Sequence, residues 1–303
     1  MTFLIIGDAN ADIVASVTRF PAEGDDLPIA ALVWASGGSA ANVAVGLALL
    51  GAPARLLARV GVDPAGHVAL AAATAAHVDL AHIQHDRATA TGTCFAVISP
   101  AGERTFFSFR GANIDLAAPS DTAFASVRWL HVGGHALLAG AQRATTLQVI
   151  AAAQAHGLPI SLDLCLPLVQ HDSALIHMLL PQIALLFGNE PEIAALGNFE
   201  RAQHGIVVVK RGADGCAVTV KGQTQHVDAY PAQVVDTNGC GDAFIAVFLW
   251  AMSHGCAPQH CAQLANAAGA RAAEHVGAAT GLPDQAALAA FVRAAAPNLA
   301  LPL

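Results

Sequence analysis

Short runs of consecutive apolar residues alternate with longer stretches whose apolar positions recur on a helical period, and the exchange repeats along most of the 303 residues. Residues 3–6, 54–60, 127–134, 158–165, 183–187 and 205–210 are such runs, most of them closed by glycine or aspartate, the pattern of strands buried on both faces. Between them, residues 42–50 carry apolar side chains at helical spacing and stop at Gly51, and an Ala-rich stretch runs to about His77. Further helices are predicted over 147–156 and 263–275. Residues 243–252 are apolar on every face, which predicts a helix buried inside a layer rather than one lying on the surface. Two regions break the rhythm. Residues 13–34 hold Pro21, Gly24 and Pro28 and read as short strands and turns; 89–109 alternates β-branched and aromatic residues around a hairpin turn at Pro100-Ala101-Gly102-Glu103. Strands alternating with helices predict an α/β fold: a three-layer α/β/α sandwich around a mostly parallel sheet, a single domain over 1–303 with β segments at about 13–35 and 88–111 inserted in it.

Composition narrows the partners. Hydrophobic residues make up 55% of the chain, enough for one large core, and charged residues only 12%, with a formal net charge of −8. That balance argues against nucleic acid, and a phosphorylated ligand would need a local basic group rather than a general positive field. Six cysteines lie scattered without Cys-x-x-Cys spacing, against a zinc ribbon or a redox pair and in favour of a reduced, cytoplasmic compartment. The N-terminus lacks a basic segment ahead of its four apolar residues, so it reads as a strand and not a signal peptide, and no apolar run approaches the ~18 residues that would predict a membrane partner.

The chemistry gathers at helix starts and strand ends. Asp236-Thr237-Asn238-Gly239-Cys240-Gly241-Asp242 leads straight into the all-apolar helix, which places Asp242 at its N-cap or first turn. Glycines ahead of a helix let its unpaired N–H groups and the positive end of its dipole meet an anion. A carboxylate in the same place makes chemical sense as a base that deprotonates an attacking hydroxyl while the amides of Gly239, Cys240 and Gly241 stabilise a transferred phosphoryl group. The same residues also satisfy a capped helix with no chemistry. At the exit of the first strand, Asp8, Asn10 and Asp12 stand where open α/β sheets hold ligands, and Asp12 can accept hydrogen bonds from two hydroxyls of a sugar. Gly37-Gly38 precedes the helix that carries Asn42 in its first turn. Neither a Walker loop nor a dinucleotide fingerprint fits this stretch. Asn189 and Glu192 follow a buried strand, and they suit either a helix start or the indirect holding of Mg²⁺ through water.

The run Asp236–Asp242 resembles the C-terminal Asp-Thr-x-Gly-Ala-Gly-Asp signature of the ribokinase-like (PfkB-type) carbohydrate kinases, with Cys240 for the usual alanine. Gly37-Gly38-x-x-x-Asn42 resembles the family's N-terminal signature, and Asn189-x-x-Glu192 its Asn-x-x-Glu motif. The three stand in the family's order, and the resemblance extends over residues 3–292. It implies transfer of the γ-phosphoryl group of ATP to a primary hydroxyl of a small sugar. Asp242 is then the base, with Gly239, Cys240 and Gly241 as the anion hole, and Asp12, Gly38 and Asn42 grip the sugar. Asn189 and Glu192 organise Mg²⁺, and Lys210, Gly212, Gly215 and Asn266 join Asn189 around ATP. Backbone carbonyls near Asp236 and Asn238 hold a monovalent cation, K⁺, in many members. The inserted β segments become a lid over the substrate, and paired lids imply a homodimer. Two departures stand out: Lys210 replaces a frequent threonine, and Cys165 replaces the asparagine of an Asp-x-Asn that begins at Asp163. A nucleoside kinase of the same fold is the nearest alternative, with Trp34 and Phe106–Phe109 available to stack a base. A sugar-binding sensor that has lost catalysis is a further one.

Overall fold

The computed structural model describes residues 1–29, 31–100, 104–197 and 205–302. In chain order the strands are β1 (Thr2–Ile6), β2 (Asn10–Ser16), β3 (Leu32–Gly37), β4 (Ala54–Leu57), β5 (Arg59–Gly61), β6 (Gln84–Asp86), β7 (Thr93–Ile98), β8 (Arg104–Phe109), β9 (Val127–Gly133), β10 (Ile160–Asp163), β11 (Leu185–Asn189), β12 (Ile206–Lys210), β13 (Cys216–Val220) and β14 (Gln223–Val227). The helices are α1 (Ser39–Leu49), α2 (Pro64–Ala75), α3 (Gly140–Ala155), α4 (Leu166–Leu179), α5 (Glu190–Leu196), α6 (Cys240–Ser253), α7 (Pro258–Ala273) and α8 (Gln285–Ala295).

Eight strands form the central sheet in the order β14-β13-β12-β11-β10-β9-β1-β4, parallel from β4 to β12 and antiparallel over β13 and β14. Alternation along each strand divides the interior in two. Phe3, Ile5, Leu56, Phe187 and Val208 face α1, α6 and α7, whereas Leu4, Ile6, Leu57, Leu186 and Val207 face α3, α4 and α5. The three-layer prediction is therefore met. Helix α6 is buried from Ala243 to Leu249 and beyond, and Phe187 of the sheet meets Phe248 edge-on at 5.4 Å. That apolar clamp fixes the axis of α6, and with it the place of the helix's N-terminus.

From β1 the chain order runs outward in both directions, to β4 on one side and β9 on the other, which makes the carboxyl end of β1 the switch point where ligands gather in open sheets. A second sheet, β3-β2-β7-β8, rises from this end. Here the structure corrects the sequence reading: the exit of β1 is only residues 7–9, and Asn10–Ser16 is already a strand of the small sheet, so Asp12 sits on the lid rather than at a strand end. The cause is the parallel pairing of β2 with β7, a long-range partner that local pattern does not reveal. The run over 54–60 likewise splits into β4 and β5, which belong to different sheets. The hairpin turn expected at 100–103 falls, apart from Pro100, outside the described residues.

Candidate active site

The first turn of α6 separates two cavities. One, of about 410 Å³, lies under the small sheet and is lined by Asp12, Gly38, Asn42, Arg110, Gly239 and Asp242 among others. The other, of about 580 Å³, is lined by Lys210, Gly212, Gly215, Cys240, Gly241 and Asn266, with Phe244 behind them. Cys240 and Gly241 thus face one cavity, and Gly239 and Asp242 the other. The heptapeptide read from the sequence forms the partition.

Gly239 is the N-cap of α6 with a left-handed backbone (φ 74°, ψ −5°), and Asp242 is in the first turn. Two groups of helix α1 hold its carboxylate: Ser39 Oγ donates to Oδ1 at 2.7 Å and Asn42 Nδ2 to Oδ2 at 2.8 Å. Burial pushes the Asp242 carboxyl up to about 6, against the downward pull of the Ser39 and Asn42 hydrogen bonds, with Asp163 raising it further and Lys210 opposing. Such a group is ionised at neutral pH, yet far more basic than an ordinary aspartate. Across the cavity, burial and then the Asp242 charge lift Asp12 to about 7. In the lid's register Asp12 pairs with Cys94 and Cys94 with Ser108, so these three form a polar row facing Asp242.

Deeper in, Asp8 accepts from Arg110 Nη2 and from Gln142 Nε2, both at 2.8 Å, while Arg110 Nη1 donates to the His135 carbonyl at 2.8 Å. Asn113 ties the lid base down, donating to Asn10 Oδ1 at 2.8 Å and accepting from the Ala9 amide at 3.1 Å. On the other side of the partition, Lys210 Nζ donates to Asp163 Oδ1 at 2.7 Å, and Glu192 is pushed up to about 7 by burial first and by Asp163 second.

The remaining predicted residues divide into those at the cavities and those that hold the frame. Asn189 and Glu192 make a reciprocal capping box at the start of α5: Asn189 N donates to Glu192 Oε2 at 2.8 Å and Glu192 N to Asn189 Oδ1 at 2.9 Å. The helix-start reading of this pair is met. Asp236 accepts from the amides of Asn238 at 2.9 Å and Gly277 at 2.8 Å, locking the loop before α6 against the loop after α7. Asn266 lines the larger cavity while its Nδ2 donates to the carbonyls of Val227 and Asp228 at 3.0 Å. A Cβ on Gly212 would meet nothing within 4 Å, and its φ of 58° favours glycine there. At Gly215, which lines the larger cavity as well, a Cβ would lie 2.0 Å from the Val227 carbonyl oxygen, so the fold itself requires glycine. Trp34 departs from expectation. It pairs with Ile13, on the face of the lid opposite Asp12, whereas Phe106 and Phe109 do line the smaller cavity.

Sequence reasoning missed Ser39, the Asp8–Arg110–Gln142 network and the Lys210–Asp163 pair. Ser39 directly follows the Gly-Gly and was within reach of that argument; the other two join residues 32 to 134 positions apart.

A family model described as pfkB family carbohydrate kinase matches residues 2–285. The chain belongs to the PfkB family of carbohydrate kinases. It is 32% identical to a fructokinase of Salmonella typhimurium, over 93% of this chain and 96% of that one, and 31% identical to a fructokinase of Klebsiella pneumoniae, over 83% and 90%. Among solved structures, Arabidopsis thaliana ribokinase complexed with ribose and ATP superposes with a TM-score of 0.80 at 25% identity, covering 96% of this chain and 98% of that one. A Burkholderia thailandensis nucleoside kinase in complex with inosine shares the fold, with a TM-score of 0.85 at 20% identity over 99% of both chains. As a PfkB-family kinase the chain is a phosphotransferase, and no helix among the described residues is long and apolar enough to cross a membrane.

The lifted carboxyl of Asp12 has a thermodynamic consequence. With the folded value near 7 and the unfolded one at 3.8, the folded state retains a proton that the unfolded chain has shed. The associated stability is full below about pH 4 and is lost as pH rises through 7. His131 and His135, whose imidazoles burial holds below their ordinary value, act in the opposite sense near pH 6, so the comparison is made between variants. Without ligand, Asp12→Asn is expected to melt above the wild type at pH 8, and calorimetry at lower pH should find the gap narrower at pH 5.5 and closing toward pH 4.

Proposed function

We propose that the chain transfers the γ-phosphoryl group of ATP to a primary hydroxyl of a small, uncharged sugar such as fructose or ribose. The observation that carries this reading is the half-buried, basic Asp242 carboxylate at the partition between two cavities, one suited to an acceptor and the other to a nucleotide. As the acceptor oxygen bonds to the γ-phosphorus, Asp242 takes the hydroxyl proton and the bond from the γ-phosphorus to the β–γ bridging oxygen breaks, releasing ADP. Ser39 and Asn42 orient the carboxylate, and the amides at Gly239, Cys240 and Gly241 with the α6 dipole stabilise the charge on the moving group. Asp12, aided by Gly38 and Asn42, holds the acceptor's other hydroxyls.

An uncharged acceptor follows from the charges on the smaller cavity. Asp8, Asp12 and Asp242 line it, and Arg110, the one fixed positive charge among the described lining residues, is already paired with Asp8. A phosphate on the acceptor would face carboxylates without a cation to spare. Mg²⁺ fits the other side, where the carboxylates of Asp163 and Glu192 lie near enough to raise the Glu192 pKa and so favour a cation. When bound, Mg²⁺ would neutralise phosphate charge, held through water by Asp163, Asn189 and Glu192. The resemblance-based K⁺ site would use carbonyls of the loop at Asp236 and Asn238, which the Asp236 clip keeps in place. The family's lid pairing would use the apolar row of Trp34, Ile13, Phe95 and Phe107, in which Trp34 is 51% and Phe107 59% exposed; sedimentation at micromolar concentration, giving a monomer or a dimer, tests it.

A nucleoside acceptor is the second reading, favoured by Phe106 and Phe109 on the smaller cavity. A coupled ADP-release assay across fructose, ribose, fructose 6-phosphate, adenosine and inosine separates the two. Turnover on a free sugar is expected, with the phosphorylated sugar slower by a factor of about 100 or more, the scale of an unpaired buried charge. Turnover confined to nucleosides would replace the sugar reading, and binding without turnover would point to the sensor. At pH 8, where Asp12 is mostly ionised, Asp12→Asn should raise the acceptor KM about 10–100-fold with little change in ATP KM, since hydrogen bonds to a charged group contribute ~1.5–3 kcal/mol.

A further inference from the structure

Lys210 is a partly buried cation, its side chain 19% exposed, at the last position of strand β12, where the strand end meets the larger cavity. Three observations fix where its ammonium stands. Its Nζ donates to Asp163 Oδ1 at 2.7 Å. A Cβ built on Gly241 would lie only 3.4 Å from Nζ, so the charge sits directly over the backbone of the α6 first turn. It also lies close enough to Asp242 for each to shift the other's titration, although Asp242 faces the smaller cavity. The ammonium therefore occupies the border between the two cavities, on the nucleotide side of the partition.

From this geometry, and resting on the phosphotransfer reading, we propose that Lys210 is a catalytic residue that exchanges partners. In the free protein it neutralises Asp163, beside Glu192. In the nucleotide complex it turns its donors onto the oxygens of the γ-phosphoryl group and follows that group as it crosses toward the acceptor. Proximity to Gly241 gives it a path: the amides of the α6 first turn and the lysine ammonium converge on one spot, so an anion there meets both. A lysine suits the task because three donors on a flexible stem can keep one bond to Asp163 while reaching a moving oxygen.

The test combines binding and turnover in two variants. Lys210→Met removes the charge, and Lys210→Met with Asp163→Asn removes the pair together, so that no buried carboxylate is left unpaired and the fold is spared that cost. Calorimetry with ATP and with ADP, without acceptor, is the reading that a structural lysine would not move selectively. In both variants ATP affinity is expected to fall at least tenfold more than ADP affinity, a ratio in which any loss of the Asp163 metal contact, common to both nucleotides, cancels. With an acceptor that the wild type phosphorylates, kcat is expected to fall about 10²–10³-fold, the cost of removing one donor to a developing charge, and Lys210→Arg should recover part of it. Equal weakening of ATP and ADP, or wild-type turnover in the double variant, would overturn the proposal. If no acceptor is turned over by the wild type, the phosphotransfer reading fails. The ATP-against-ADP comparison still decides whether Lys210 meets the γ-phosphoryl group.

Discussion

Replacing Asp242 with asparagine is expected to lower kcat by about 10²–10⁴-fold, the usual contribution of a positioned general base, while nucleotide and acceptor affinities stay within about threefold. The substitution leaves the surroundings satisfied. The new amide oxygen can accept from Asn42 Nδ2, and its NH₂ group can donate to Ser39 Oγ, whose hydroxyl turns to accept. What disappears is a carboxylate that burial has lifted to about 6. The wild-type rate should accordingly fall as pH drops through about 6 and the base is protonated, with Asp12 coupled to it so that the acid limb belongs to the pair. The variant should lack that limb. Initial rates of ADP release between pH 5 and 8.5, for both proteins on the best acceptor, make the comparison. An asparagine variant with near-wild-type kcat would remove Asp242 from the chemistry and leave it as a helix-start residue.

The second large effect is expected at Gly239→Ala. The residue stands at φ 74°, and a Cβ there would lie 2.3 Å from the Ala278 carbonyl oxygen. An alanine costs about 1–2 kcal/mol for the left-handed backbone alone, and the contact forces one of the two loops to move. They cannot move apart freely, because Asp236 binds Gly277 N on one side and Asn238 N on the other. The displacement therefore falls on the turn that carries the amides of Gly239, Cys240 and Gly241. Loss of one aligned donor to a developing charge lowers kcat by about 10²–10³-fold, and that is the expected result, with acceptor binding largely retained because Asp12, Gly38 and Asn42 are untouched. Steady-state kinetics alongside calorimetric binding of the acceptor will show a kcat effect without a matching loss of affinity. A change confined to ATP KM would instead place these amides at the nucleotide's binding and not at the transfer.

The alternation of buried runs and helical stretches set the three layers, because a strand buried on both faces and a helix apolar on every side have few ways to be covered. The heptapeptide at 236–242 likewise carried its own chemistry, since glycines, a helix start and a carboxylate act within a few residues of one another. The family was legible at that range, and the proposed anion hole and base are read from the same residues. Tertiary structure decided the rest. Asp12 moved from a strand end to the lid because β2 pairs with β7, about eighty residues away, and the local pattern is indifferent to that partner. Gly215 is required by the Val227 carbonyl and Trp34 lies on the face away from Asp12, both settled by neighbours distant in sequence or by sheet parity. The raised carboxyls of Asp12, Glu192 and Asp242 and the Lys210–Asp163 pair exist only where several charges are buried within reach of one another. Sequence determines which groups are present and which short segments they stiffen. Desolvation and charge coupling are properties of the assembled space between segments, so the fold alone decided how basic, how shielded and how closely paired those groups became.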